Sequence, residues 1–523
     1  MPEFFNFVAE QGDKLIEQTL THIGLTFLSL CLALLIGLPA GILITYRPKV
    51  ASVVLAVVGV LQTVPSIALL GFLIPLLGIG VGPALVALFL YALLPIVRNT
   101  YVGIREVSPM LKETARGMGM TTWQVLTRLE LPLALPVIFA GIRTATVINV
   151  GVATLAAYVA AGGLGEFIFG GIALNNPNMV LAGAVPAALL AILFDFLLAR
   201  LQQLRGLRLR RVALIFLVMA PALSAFYWLP GGNAGGLVAG FAHEFYGRAD
   251  GYPGLIRTYG LHLTPRLIDQ NLMYEAIYRG QVDLISGYST DGRIRAFDLR
   301  VLDDDRNAFP PYEAALVVRP AVLAQHPELD QTLRLLENRL SDARMTDLNY
   351  RADYRHESPE TVARRFLSEQ NLLLPTAPRQ RQGQLVIGTK IFTEQYILAE
   401  ILRQLIENRT SLRVITKTGL GGTQICFNAL NAGDIDLYPE YTGTGLLVIL
   451  QPPARLADSL KADRKAVFQY VSREFEQRYG LRWLAPLGFN NTYALMMRRS
   501  QADLLQIQSI SDLTRFLGKS KNR

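Results

Sequence analysis

Aromatic rings, carboxylates and small hydroxyls crowd a few turn-rich stretches in the second half of this 523-residue chain. They are His243-Glu-Phe-Tyr-Gly-Arg248, Asp250-Gly-Tyr-Pro-Gly254, Tyr288-Ser-Thr-Asp-Gly-Arg293, Phe309-Pro-Pro-Tyr312, Lys390-Ile-Phe-Thr-Glu-Gln395, Gly419-Leu-Gly-Gly-Thr423, Asp436-Leu-Tyr-Pro-Glu-Tyr-Thr-Gly-Thr444 and Gly488-Phe-Asn-Asn-Thr-Tyr493. A single such ring is ordinary core packing, whereas several rings on loop motifs favour a cage of π-faces around a cation. Glu394 and Glu440 could act as the paired acids of a glycosidase, and carboxylates beside tyrosine-rich turns suit cation attraction equally well.

Other chemistries find little support. The five histidines, His22, His243, His262, His326 and His356, have no Cys or His partner at ligand spacing, so no metal is expected. No Gly-x-Ser-x-Gly nucleophile turn occurs. Gly518-Lys519-Ser520 lacks the glycine that a phosphate loop needs five residues earlier, where Leu513 stands. No cofactor is expected, and the chain reads as a non-enzyme.

The elements that must position these residues fall into two kinds. Long uncharged runs fill Thr21 to Pro230, and none comparable follows. A bilayer core requires roughly 20 apolar residues per helical span, and about six candidates appear, at 22–45, 52–77, 81–97, 134–161, 179–199 and 212–229. Arg47 and Lys49 follow the first run; Arg98, Arg105, Lys112, Arg116 and Arg128 separate the third from the fourth; Arg200, Arg205, Arg208, Arg210 and Arg211 separate the fifth from the sixth. Basic loops face the cytoplasm, so the N-terminus and everything after Pro230 are expected outside, in a multi-pass protein of the cell (inner or plasma) membrane with lipid around its helices. The first run lacks a basic segment before it and is too long for a signal peptide, so it reads as a retained helix.

Composition averages a very apolar half with an ordinary soluble one: 51% hydrophobic, 17% charged, mean hydropathy +0.32. The net charge of +9 comes largely from the inside loops, which argues against a nucleic-acid partner. Cys31 lies in a membrane run and Cys426 in the soluble half, so no disulfide is expected within a monomer. The soluble half divides at the polar stretch 375–384, and on both sides short β-rich runs alternate with amphipathic helices, as in α/β lobes.

The stretch between the third and fourth apolar runs reads as an amphipathic helix, a glycine break and a second helix stopped before Pro132. A plain membrane-surface helix would look similar. The spacing of Glu113, Ala115, Gly119, Leu129, Leu131 and Pro132, with Thr114 in place of an alanine, resembles the coupling loop of ABC importer permeases. That resemblance spans residues 15–205 and is nearest to osmoprotectant permeases. It implies that these residues dock on a separate ABC ATPase subunit, two per transporter, and that two copies of the chain assemble as a homodimer.

The turn motifs after residue 235 resemble the substrate-binding proteins of glycine betaine, choline and carnitine importers. Their order departs from that family: the Phe-Thr-Glu-Gln segment, normally first, follows the Asp-Gly-Tyr-Pro segment. The expected architecture is therefore an all-α permease of about six transmembrane helices followed by an α/β, two-lobed, type II periplasmic-binding-protein-like domain that is circularly permuted. Its parts are a permease at 1–205 with coupling loop 109–132, a tethering helix at 206–230, a first portion of the binding domain at 231–374 (second lobe and return), a linker at 375–384 and the first lobe at 385–523. Two unrelated half-domains are the duller alternative.

The resemblance implies a small quaternary-ammonium ligand. Tyr441, Phe245 and Tyr288 are the preferred cage members, with Tyr438 and Phe392 next and Tyr246 in the same motifs. Thr393, Gln395, Thr423, Thr442, Asn491 and Thr290 would orient the rest of the ligand by hydrogen bonds. Arg248 either pairs with a ligand carboxylate or braces the Asp250 turn, and both readings stand. Ergothioneine-like betaines and polar amino acids are the competing ligands, and a ligand-gated sensor is the competing class.

Overall fold

The computed structural model describes residues 2–174, 176–202, 237–263, 265–375, 382–461 and 463–521. The expected sixth span, its tether at 206–230 and most of the 375–384 linker lie outside the described residues. The chain forms two compact units, one holding nearly all of residues 1–234 and the other nearly all of residues 235–523.

In the first unit, four described helices are long and apolar enough to cross a membrane: Gly12–Thr45 (α1), Val81–Arg105, Thr122–Val159 and Pro177–Gln202. The stretch expected to span at 52–77 is built of two helices, Pro48–Thr63 (α2) and Ser66–Leu77 (α3), bent by 98°: a broken span or a re-entrant loop. The break follows from Pro65: it bars the α conformation at Val64, which is extended at φ −64°, ψ 127°. Small residues bring Val81–Arg105 (α4) against its neighbours. A Cβ on Gly41 would lie 2.6 Å from Thr100 Cβ, and one on Gly141 would lie 2.6 Å from the Pro95 carbonyl oxygen. Both glycines permit the close helix approach typical of membrane bundles.

Between α4 and the next span, Pro109–Gly117 (α5) ends in a turn with Gly119 at φ +82°. Thr121 then caps Thr122–Val125 (α6) in a reciprocal box with Gln124. The second helix does not stop before Pro132. A π-helical turn, Leu126–Glu130, runs on into Leu131–Ala153 (α7), which carries Pro132 in its first turn. The wider turn lets a residue that cannot donate a backbone hydrogen bond sit inside one continuous span.

The second unit is built from two five-stranded sheets. Ala239–Phe241 (β1), Arg266–Leu267 (β2), Leu284–Tyr288 (β3), Leu299–Val301 (β4) and Tyr493–Arg498 (β10) form one, in the order β2-β1-β3-β10-β4. Ala314–Val318 (β5), Gln384–Lys390 (β6), Arg413–Gly421 (β7), Leu437–Tyr441 (β8) and Arg482–Trp483 (β9) form the other, in the order β7-β6-β8-β5-β9. β1 pairs with β3, and β6 with β7 and β8, in parallel; β10 and β5 are the antiparallel intruders, β10 between β3 and β4, β5 between β8 and β9. Both sheets thus repeat one pattern, in which four strands of one half receive a single strand from the other. β5 (Ala-Ala-Leu-Val-Val) and most of β10 are fully buried, as strands covered on both faces must be.

Candidate functional site

Two connections carry the chain between the sheets, 302–313 and 484–492, and they run side by side. Tyr312 N–H donates to Asn490 Oδ1 at 2.6 Å, and Asn491 N–H donates to the Tyr312 carbonyl at 3.0 Å. Thr442 ties the end of β8 to them, its Oγ1 accepting from Glu313 N–H at 3.0 Å and donating to the Pro311 carbonyl at 3.1 Å. Each sheet delivers strand ends to this crossing, so side chains there converge.

The convergence point is Glu394, in the first turn of Thr393–Arg409 and 3% exposed. Its Oε1 accepts from the Tyr441 hydroxyl at 2.6 Å and the Asn491 amide at 2.8 Å. Its Oε2 accepts from the Thr290 hydroxyl at 2.6 Å and the Asn349 amide at 2.9 Å. Burial pushes the carboxyl above its ordinary value, while these four neutral donors favour the anion and hold it down. Gln395 extends the network, donating to the Pro439 carbonyl at 3.1 Å and the Tyr441 hydroxyl at 3.2 Å.

Beside Glu394 stands a column of rings. Tyr441 and Phe392 are 6.3 Å apart at 25°, Phe392 and Tyr288 5.7 Å at 20°, and Tyr288 and Tyr493 5.3 Å at 18°. Tyr441 ends β8 and Phe392 follows β6; Tyr288 ends β3 and Tyr493 begins β10. Half-buried Phe392 lies between two tyrosine faces.

Cations around the column are already matched. Lys390 Nζ lies 2.5 Å from Glu440 Oε1 and 5.2 Å from the centre of the Tyr441 ring. Arg248 holds Asp250 through Nε at 2.9 Å and Nη2 at 2.5 Å, meets Glu244 at 2.8 Å, and covers the Tyr493 ring at 5.3 Å. The Tyr312 hydroxyl also donates to Asp250. Arg248 therefore braces the Asp250 turn in this structure.

The remaining expected residues are dispersed. Tyr438 is fully buried in the core of the second sheet with Phe475 and Trp483, its hydroxyl 3.1 Å from Glu440. Phe245 packs behind the column, edge-on to Tyr493 at 5.0 Å. Tyr246 stacks on Tyr252 at 5.6 Å. Thr423 starts the helix Thr423–Ala432, and half-buried Thr393 lies by Asp353. Tyr493, Tyr312, Lys390 and Asn349 were not expected; the first three lie within the quoted motifs, whereas Asn349 sits mid-helix in Asp342–Asp353 with no local signal. Among the described residues no cluster of His, Cys, Asp or Glu could hold a metal, and both cysteines are free and buried.

In the first unit, Ala115 is the one buried residue of α5, and Leu129 and Leu131 lie in the π-turn and the start of α7. Glu113 and Gly119 are exposed, as are Met110, Met118 and Trp123.

Comparison with known families matches both units. Residues 232–369 and 383–523 match the substrate binding domain of ABC-type glycine betaine transport systems, and residues 33–211 match the inner membrane component of binding-protein-dependent transport systems. A carnitine transport permease of Listeria monocytogenes is 48% identical over 202 residues, which cover 39% of this chain and 93% of that protein. A glycine betaine/carnitine/choline transport system permease of Bacillus subtilis (strain 168) is 44% identical over 199 residues, 38% of this chain and 92% of that protein. Among solved structures, an inward-facing methionine ABC transporter matches 36% of this chain and 95% of its own at 28% identity, with a TM-score of 0.34.

Proposed function

The chain belongs to the ABC importer family, joining an inner-membrane permease to a glycine-betaine-type substrate-binding domain, and on that premise we propose that it takes up a trimethylammonium osmoprotectant such as choline, glycine betaine or carnitine. The observation that carries this reading is the ring column over Glu394 at the crossing of the two sheets. A trimethylammonium head donates no hydrogen bond, so π-faces must hold it, each contributing about 0.5–2 kcal/mol. Tyr441 and Tyr288 supply those faces, with Tyr493 behind Tyr288 and Phe392 yielding its place. Both oxygens of Glu394 are engaged by neutral donors, which leaves a counter-charge without a free acceptor for a primary ammonium and disfavours an amino-acid ligand.

Closure of the two lobes on the ligand follows hinge mechanics at the paired connections. Basic loops at the inner end of the permease support an outer location for the binding half. The stretch at 206–230 is proposed as its tether, which would hold it at about millimolar effective concentration. ATP is hydrolysed by a partner subunit that docks on the coupling loop at 109–132 through Glu113, Ala115, Gly119, Leu129, Leu131 and Pro132, and one such loop per chain supports a homodimer bearing two ATPases.

The repeated sheet pattern supports the permuted order. Because each half supplies four strands and one intruder, either half can come first without changing a single strand pairing. Calorimetric titration of the purified full chain with choline, glycine betaine, carnitine, ergothioneine and lysine tests the ligand assignment. Binding of a trimethylammonium compound that Tyr441→Ala weakens is the expected result; binding of lysine alone would overturn it.

A further inference from the structure

The docking segment is joined to the spans by little apolar packing. Of the nine residues in α5 only Ala115 is buried, while Met110, Met118 and Trp123 are at least 70% exposed. What holds α5 is polar. Lys112 Nζ lies 3.1 Å from Glu130 Oε1 and donates at 2.8 Å to the carbonyl of Ile104, in the last turn of α4, where helix carbonyls lack intrahelical partners. The other oxygen of Glu130 accepts from the hydroxyl of Tyr46, the residue that ends α1. Glu130 is itself the last residue of the π-turn that opens α7 and is 2% exposed. An apolar shell of Ile104, Leu126, Ala134 and Ile138 lies at the same level of the bundle.

One carboxylate and one ammonium thus gather the ends of three spans, α1, α4 and α7, onto the docking helix. We propose that Glu130 and Lys112 are positioning residues for energy coupling: they make the docking helix move with those three spans, so that displacement by the ATPase reaches the pore. The inference rests on the importer reading above. A π-turn at this point fits it, since such turns favour functional sites over regular helix.

The test uses the full chain with its ATPase in liposomes, measuring ATP hydrolysis and uptake of labelled choline, glycine betaine and carnitine together. Glu130→Gln and the double variant Lys112→Met/Glu130→Leu are compared with the unaltered chain. The double variant guards against misfolding, because replacing both members of a buried pair by apolar residues is often neutral for stability. The expected result is at least a tenfold rise in ATP consumed per solute moved in both variants, with ligand affinity and co-purification of the ATPase unchanged. An unchanged ratio in the double variant, or loss of ATPase binding, would overturn the proposal, the latter by making the pair a docking element. Failure of the unaltered chain to move any of the three solutes would instead refute the importer reading.

Discussion

At Tyr441 the ring and the hydroxyl do separable work, the ring as one face of the column and the hydroxyl as a donor to Glu394. Tyr441→Ala removes both and is expected to weaken trimethylammonium binding at least about tenfold, one cation–π contact plus an orphaned acceptor. Tyr441→Phe keeps the face and loses only the donor, so calorimetry should find it intermediate; an alanine-like phenylalanine would place the effect in the hydrogen bond rather than the cage. Asp250 carries a second prediction. Burial pulls its carboxyl upward, but Arg248 and the Tyr312 hydroxyl outweigh burial and hold it below its ordinary 3.8. A depressed carboxyl stabilises the fold above its unfolded value and loses that contribution as pH falls through the lower native one. Glu394 has the opposite sign: its raised value favours the fold below the ordinary 4.5, a contribution lost as pH rises through the higher native value. Melting curves of Asp250→Asn and Glu394→Gln against pH should therefore flatten opposite slopes. Asp250→Asn should also cost about 3–5 kcal/mol near neutrality, by leaving Arg248 buried without its bidentate partner.

Elements in the permease are set by where proline and glycine fall relative to neighbouring helices. Pro65 bends α2 from α3, yet Pro132 and Pro136 sit inside one continuous span. Period and composition alone treat these prolines alike. The difference arises because a π-turn accommodates Pro132, whereas extended Val64 commits the chain to a corner. Gly141 is the stricter position: its missing Cβ is replaced by Asn99 Cβ and the Pro95 carbonyl, both at 2.6 Å, and backbone cannot move aside. Gly141→Leu should destabilise the bundle by at least about 3 kcal/mol, seen as loss of monodisperse protein on size-exclusion chromatography. Gly59→Leu, with open space around its Cβ, should be silent in the same assay.

For the molecule as a whole, the interlocking of the binding half makes a concrete demand. β5 belongs to the first portion of the binding domain, 231–374, but lies in the second sheet, and β10 of the second portion lies in the first. A protease site placed at 376–381 and cleaved after folding should leave the two fragments associated, with ligand affinity within about twofold of the uncut chain. Separation of the fragments on gel filtration would show that the linker, not strand exchange, holds the halves together.

Much of this organisation was legible in the residues. The apolar runs, the basic loops and the spaced coupling motif announced a membrane permease, because helix length and charge asymmetry are properties of the chain itself. Alternating β-rich runs and amphipathic helices announced α/β lobes, and the turn motifs announced a binding domain through their resemblance to osmoprotectant-binding proteins. Which aromatics would face one another was not legible: Tyr438 and Tyr441 are three residues apart, yet one is core and the other meets Phe392 across the strand ends. Packing between segments distant in sequence brings Thr290, Asn349, Tyr441 and Asn491 to the carboxylate of Glu394, and no local spacing encodes it. The kind of elements and the side of the membrane they call for are written along the chain; which side chains meet emerges on folding, because burial and partnership are set by contacts between segments rather than along them.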